Sequence, residues 1–485
     1  MSNSLKSQAS KGVFWSAIDK FAIQGSNLVI TIILARLLMP SDFGLIGMLS
    51  IFIAISQTFV DSGMGSGLIQ KKDRTNADYS TVFIFNFLVS VLFYVILFFT
   101  APLIADFYNT PQLVLLTRIL SLNIIINSLA IVQRSKLTIE LDFKTIAKVN
   151  VVSVLISGLL AIFFAYKGFG VWALVFQNII RTVVSVLMFW ILSKWKPIFI
   201  FSKQSFKSLF GFGSKLLLSG LYAMSFREVY NITIGKFYTS SDLGYYNRSL
   251  GFADVTAGTI TGILQQVTYP VLASLQDDKT RLVSVYSRLI KMTAFFVFPL
   301  MTLLALLSEP FIMFFLTEKW APAIVLLQWL CFARFFYPLS AINMNILNAV
   351  GRSDLFLKVD LSKAPLMILS MVITIPMGVK AIVIGMVIVS TISFFINAYM
   401  PGKLFGYGAI KQLKDMIPIF ISIIIMSFCV YLSIQFITFD LIKLIVGGIV
   451  GVLSYWISVN ILKVEEVKEI KSSIDKILVR LNVKK

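Results

Sequence analysis

An all-α polytopic membrane protein is the fold class this sequence predicts. It should hold about fourteen transmembrane helices, as two parallel-repeat six-helix lobes plus two C-terminal helices. Three observations carry that expectation. The 485 residues are 58% hydrophobic and 14% charged, with a mean hydropathy of +0.87, against about 45–50% apolar and about 25% charged in soluble chains. Apolar stretches long enough to cross about 30 Å of hydrocarbon recur from end to end. Short motifs also repeat about half a chain apart.

The apolar runs fall at 12–38, 43–69, 79–104, 113–137, 146–166, 169–193, 209–236, 243–275, 286–316, 322–350, 355–377, 379–400, 415–435 and 439–462. Lys6 and Lys11 precede the first, with no Ala-x-Ala-like site after a short apolar region, so this helix is expected to stay in the mature protein. Ser41-Asp42-Phe43-Gly44 recurs as Ser241-Asp242-Leu243-Gly244, with Arg36 matched by Lys236, and Gly170-Val171-Trp172-Ala173 matches Gly378-Val379-Lys380-Ala381. Six spans separate equivalent positions, so the repeat is parallel, about an axis along the membrane normal. The expected organisation is a first lobe at 1–193, a cytoplasmic linker at 194–208, a second lobe at 209–400, and two appended helices at 401–462. A tail at 463–485 has Val464, Val467, Ile470, Ile474, Ile477, Leu478 and Leu481 at amphipathic spacing and a basic polar face, suited to the inner leaflet.

Lys/Arg asymmetry between alternate loops sets the orientation. Lys71, Lys72 and Arg74 open one series, which continues through Arg134 and Lys136, Lys194 and Lys196, Lys279 and Arg281, then Lys403, Lys411 and Lys414. The alternate series offers little beyond Arg36, Lys167, Lys236, Lys319, Lys380 and Lys443. Both termini are therefore expected in the cytoplasm. The formal charge of +20 follows this topology rather than a nucleic-acid face, which needs clustered basic residues on a soluble surface. No histidine is present, which excludes His-type zinc sites and His proton relays. Cys331 and Cys429 sit inside apolar segments and read as small hydrophobes.

The polar residues at depth are Asp19, Lys20, Asp61, Arg118 and Arg181 in the first lobe. In the second they are Lys215, Arg227, Glu228, Arg248, Asp254 and Arg334. A charge at the helix centre costs about 2.5–3.5 kcal/mol on insertion scales, so these side chains should face protein or a watery cavity. Internal ion pairs, such as Arg227 with Asp254 or Asp19 with Lys20, are one reading. The other rests on the basic surplus, which pairing does not cancel: a cationic pathway lined by Arg181, Arg227, Arg248, Arg334 and Lys215 and suited to an anionic ligand, since guanidinium matches phosphate geometry. Coupling to an ion gradient would fall to Asp61, Glu228 or Asp254, with Asp254 first. Gly211, Gly213 and Gly220 in the seventh span, and Gly251, Gly258 and Gly262 in the eighth, would allow close helix approach, and Pro338 should kink the tenth. The run from Asp61 to Gly67 is no nucleotide loop, because no Lys follows in Walker spacing.

LARLLMPSDFGLIGM (34–48), DSGMGSGLIQ (61–70), GFGVWAL (168–174) and SSDLGYYNRS (240–249) resemble the Wzx-type polysaccharide and O-antigen flippases. That group is the colanic- and teichuronic-acid exporter branch of the multidrug/oligosaccharidyl-lipid/polysaccharide exporter superfamily. The resemblance covers nearly the whole chain. It implies a bacterial inner-membrane protein that flips an undecaprenyl-pyrophosphate-linked oligosaccharide by alternating access, through a central cationic cavity and with an ion gradient as driver. It implies no cofactor, no catalysis and no nucleic-acid partner; membrane lipids and a polysaccharide polymerase are the implied neighbours. No invariant constellation carries over, so the site residues rest on depth and charge alone. A polymerase or ligase would want a long outward loop, and every outward loop here is short. A multidrug exporter of this fold would want acidic charge in its cavity for organic cations.

Overall fold

The computed structural model describes residues 2–468 and 471; side chains are described for all of these except 2–14, 16–18, 223, 259–260 and 263–267. Every regular element among them is helical. Two compact units meet in sequence between Asn247 and Arg248.

The first unit runs through α1 (Ser2–Leu37), α2 (Pro40–Asp61), α3 (Met64–Gln70), α4 (Asn76–Phe107), α5 (Leu113–Leu120), α6 (Leu122–Ser128), α7 (Ile131–Ile139), α8 (Phe143–Tyr166), α9 (Val171–Leu192), α10 (Lys203–Phe237) and the start of α11 (Ser240–Ala273). The rest of α11 opens the second unit. It continues with α12 (Lys279–Leu306), α13 (Ser308–Leu316), α14 (Pro322–Ala333), α15 (Tyr337–Ala349), α16 (Ser353–Ser362), α17 (Ala364–Thr374), α18 (Val379–Phe405), α19 (Ala409–Asp415), α20 (Ile417–Ile434) and α21 (Asp440–Ile461). Among the described residues, twelve stretches are long and apolar enough to cross a membrane, with α2–α3, α5–α7 and α14–α15 each counting as one. The remaining two of the fourteen expected spans are α11, which carries Asp242, Arg248 and Asp254, and the pair α16–α17, interrupted near Lys363. The chain is a multi-pass membrane protein.

Local chemistry explains the interruptions. Ser62 and Gly63 adopt left-handed φ of 44° and 67°, ending α2 and re-aiming α3, so the glycine-rich run is a helix break. A Cβ on Gly63 would lie 2.6 Å from the Gly213 carbonyl oxygen, and one on Gly213 would lie 2.5 Å from that of Ser62. Only glycine permits α10 to cross α2–α3 so closely. Beyond the break, Met64 and Leu68 pack with Val82, Val132, Trp195 and Leu209. Thr75 and Asp78 form a reciprocal capping box at the start of α4, and Lys71 Nζ reaches Asp78 at 2.7 Å. The kink expected at Pro338 is a break: α14 ends at Ala333, and Pro338 sits in the first turn of α15, where its missing N–H costs nothing.

The glycine expectation needs a correction. Gly213 and Gly220 do meet a neighbouring element, Gly220 by a Cβ position 3.2 Å from Thr58 Cγ2, but Gly211, Gly251 and Gly258 face open space. Helix rotation decides this, and residue type does not reveal it.

The repeated Ser-Asp-x-Gly motif has a reciprocal packing. Asp42 accepts from the Met39 N–H (2.9 Å), as Asp242 accepts from the Thr239 N–H (3.1 Å) and hydroxyl (2.7 Å). A Cβ added to Gly44 would fall on the Ser240 carbonyl, and one added to Gly244 on the Pro40 carbonyl. The two helix starts cross backbone to backbone through their glycines.

In the second unit, Gln412 of α19 joins Asn343 of α15 and the Tyr286 hydroxyl of α12 in a buried network. The start of the tail is fixed as well: Val464 and Val467 are buried, and Lys291 Nζ lies 2.6 Å from Glu465 and 3.5 Å from Glu466. That contact holds the Glu465 carboxyl below the usual carboxylate range. Ile474, Ile477, Leu478 and Leu481 of the amphipathic tail, with Ile470, lie outside the described residues.

Candidate functional site

Within the first unit, among helices apolar enough to cross a membrane, lies a cavity of about 1070 Å³. Polar side chains from six elements reach it. From α2 come Ser50, Gln57, Thr58 and Asp61, and from α3 comes Ser66. Asn123 and Asn127 arrive on α6, one turn apart; Arg134, Ser135 and Thr138 on α7; Asn150 on α8. On α9 the lining residues are Asn178, Thr182, Ser185 and Phe189, a stripe at helical spacing. The α10 side contributes Leu216, Leu217, Gly220 and Met224, an apolar wall.

Carboxamides and hydroxyls make up most of the polar half of the lining, with Asp61 and Arg134 as its charged residues, and the rest is aliphatic, aromatic or glycine. Asp61 forms no hydrogen bond or ion pair among the described residues. Arg134 serves in the sequence reading only as a topology marker, and the asparagines carry no sequence signal based on charge. Their signal is the density of amides inside apolar helices, at 123, 127, 150 and 178.

Arg181 is exposed on α9 and flanks the lining stripe; Lys215 is exposed on α10 beside the lining Leu216. Arg227 is exposed too, and its Nε donates to Glu228 Oε1 at 3.2 Å. Glu228 is buried, and its other oxygen accepts from Ser50 Oγ and Asn231 Nδ2, both at 2.7 Å. Arg227 and Asn231 thus donate to this carboxylate, and the Ser50 hydroxyl, which belongs to the cavity wall, is shared between it and the Gly47 carbonyl (2.7 Å to each).

In the second unit Arg334 sits in the break between α14 and α15. Its Nε donates to Asp254 Oδ1 at 2.6 Å and an Nη to Oδ2 at 3.3 Å, a two-toothed pair. The guanidinium also lies 5.4 Å from the Tyr337 ring centroid. Arg248, at the start of this unit, is half-buried. The pairings expected from sequence are corrected here: Arg227 takes Glu228 and Asp254 takes Arg334, while Asp19 accepts from Asn150 Nδ2 (3.1 Å) rather than pairing with Lys20. Adjacent or neighbouring-span position does not fix a partner, because the rotation of each helix aims its side chains. Arg118 behaves as a span-end residue, donating to the Phe98 carbonyl and lying 4.3 Å over its ring.

Known proteins share both sequence and fold with this chain. It is 28% identical over 355 residues, 73% of each chain, to the teichuronic acid biosynthesis protein TuaB of Bacillus subtilis. It is 25% identical over 400 residues to the lipopolysaccharide biosynthesis protein WzxC of Escherichia coli, covering 82% of this chain and 81% of that one. The solved structure of the lipid II flippase MurJ, in an inward closed conformation, superposes with a TM-score of 0.75 over 94% of this chain and all of that one, at 19% identity. The family model described as polysaccharide biosynthesis protein matches residues 33–325, and the chain belongs to that family.

Proposed function

We propose that this protein is a flippase that carries an undecaprenyl-pyrophosphate-linked oligosaccharide across the bacterial inner membrane by alternating access. The observation that carries the reading is the polar cavity of about 1070 Å³ inside membrane-spanning helices. Pockets of about 300–1,000 Å³ enclose a drug-sized ligand, so this one accommodates a saccharide headgroup while the prenyl chain stays in lipid. TuaB, WzxC and the MurJ fold support the same class of cargo. The Lys/Arg pattern puts both termini in the cytoplasm, and the Arg134 end of the cavity on that side. The parallel repeat divides the working parts into lobes at 1–193 and 209–400, joined by the linker at 194–208, with 401–462 appended.

Arg181, Arg227, Arg248, Arg334 and Lys215 are the cationic groups that meet the carrier pyrophosphate. Arg334 is held by Asp254 until a phosphate competes for the same bidentate face. Among the coupling candidates, Asp61 now leads. Glu228 is held by Arg227 and Asn231 and Asp254 by Arg334, whereas the Asp61 carboxylate has no hydrogen-bonded cation among the described residues. A polysaccharide polymerase would take the delivered glycan.

The test is transport by purified protein in proteoliposomes, reading the accessibility of a lipid-linked oligosaccharide to an impermeant oxidant with and without an imposed ion gradient. Gradient-stimulated movement is expected. Movement of a lipophilic organic cation, with none of the lipid-linked glycan, would replace this reading with that of a multidrug exporter.

A further inference from the structure

The segment between α9 and α10 is held in place by the start of α4. Trp195 is buried in a cluster with Met64, Leu68, Val82 and Leu209, its ring 6.0 Å from those of Tyr79 and Phe83. The Ile198 N–H donates to Ser80 Oγ at 3.1 Å, and the Ser202 N–H donates to Thr81 Oγ1 at 3.0 Å. Both ends of the run Ile198-Phe199-Ile200-Phe201 are thereby tied to one turn of α4, and no regular element covers residues 193–202. All of these apolar side chains are nonetheless exposed, Phe199 by 87%. Lys194, Lys196, Lys203 and Lys207 flank them and are exposed as well, and 194–208 contains no Asp or Glu. Asp78, two residues before Ser80, is buried and takes Lys71 at 2.7 Å.

A contiguous apolar patch of this kind marks a surface that meets a partner or a membrane. The hydrocarbon core does not suit it, because the Phe199 and Phe201 N–H groups have no acceptor among the described residues, and lipid does not tolerate unpaired backbone. The headgroup layer satisfies both demands, since water reaches the backbone there while the side chains enter the acyl boundary. α9 ends at Leu192 and α10 starts at Lys203, and both are long and apolar enough to cross a membrane, so the segment lies where spans meet that layer. We propose that residues 194–207 form an interfacial anchor that recognises acidic phospholipid, with Ile198 to Phe201 inserted at the acyl boundary and the flanking lysines on the phosphates. Four lysines with no acid between them complement an anionic surface; a zwitterionic lipid supplies the apolar contact alone. The ties to Ser80 and Thr81 fix the backbone beforehand, so little order is lost on insertion.

Full-length protein carrying Cys331→Ser, Cys429→Ser and Phe199→Cys, labelled with bimane, tests this in vesicles of phosphatidylcholine and phosphatidylglycerol in equal parts. A shallow nitroxide is placed on the acyl chain of one lipid and then of the other. Bimane at 199 should be quenched by both, and by the phosphatidylglycerol probe at least about twofold more strongly. The preference should vanish when Lys194→Gln, Lys196→Gln, Lys203→Gln and Lys207→Gln are combined. It should also vanish in about 1 M salt, where the Debye length is about 3 Å, and this arm stands should the combined variant fold poorly. Bimane on Leu159→Cys, exposed on α8, is the control and should show no preference. Quenching at 199 by aqueous iodide, with none by either lipid, would overturn the proposal. So would equal quenching by the two lipids, or a preference that survives both the lysine replacements and the salt. The readout is lipid contact and not movement of cargo, so none of these outcomes bears on the transport reading.

Discussion

Replacing Gly44 by alanine should push the conformational equilibrium away from the arrangement described here. The added Cβ would lie 2.5 Å from the Ser240 carbonyl carbon and 3.0 Å from its Cα. Carbon atoms pack at about 3.5–4.0 Å, and the Ser240 carbonyl oxygen lies closer still, so the start of α11 must retreat by more than about 1 Å from α2. The obstacle is backbone, so no rotamer relieves it. Overpacking of this kind costs about 1–3 kcal/mol, which shifts a two-state equilibrium by a factor of about 5–150. Leu243 reports the shift, since it is fully buried and packs beside Gly47 and Gly235. In a Cys331→Ser, Cys429→Ser, Leu243→Cys background, maleimide labelling of purified protein should accelerate by that factor in Gly44→Ala. Gly244→Ala, whose Cβ would lie 2.7 Å from the Pro40 carbonyl carbon, should do the same. The double variant should fall short of the sum, because one retreat relieves both clashes. Gly251→Ala, with no atom within 4 Å of its Cβ, is the control and should label like the parent. Parental labelling rates in both Gly44→Ala and Gly244→Ala, in folded protein, would refute the reasoning that this crossing holds the helix starts together.

Other expectations follow from the pairings. Asp61→Asn should abolish stimulation by an ion gradient while leaving thermal unfolding in detergent unchanged; full gradient-driven transport in that variant would remove Asp61 from coupling. Arg334→Ala strands Asp254, whereas Arg334→Ala combined with Asp254→Ala strands neither, so a structural pair predicts recovery of transport in the double variant. Continued loss would instead assign Arg334 to the pyrophosphate path, with Arg334→Lys rescuing only in part because the fork is lost. Glu228→Gln turns one acceptor oxygen into a donor facing either the Asn231 amide or the Arg227 guanidinium, and should cost about 1–3 kcal/mol of stability, read as a lower unfolding temperature. Gln412→Leu leaves Tyr286 and Asn343 short of partners in a buried site and should destabilise by a similar amount.

The sequence alone determined what depends on composition and spacing. Apolar runs of bilayer length mark the spans because hydrocarbon tolerates few charges, and a disturbance of the helix at Pro338 follows from its missing N–H, although the pattern suggested a kink and the structure has a full break. The repeat of Ser41–Gly44 at Ser241–Gly244 was also legible, since identical capping chemistry leaves identical letters. Span number was harder to read from hydropathy where charges collect, as in α11. The tertiary structure alone decided which residues meet. That Asp254 takes Arg334, that Glu228 takes Arg227, Asn231 and Ser50, and that Gly44 and Gly244 cross reciprocally depends on how each helix is rotated about its axis. A one-residue change in facing turns a side chain by about a quarter turn or more, and the sequence pattern of a helix apolar on nearly every side does not specify it. The asparagine-lined cavity stayed hidden for the same reason. A neutral amide in an apolar helix gives no charge signal, and only packing shows that four of them face one space.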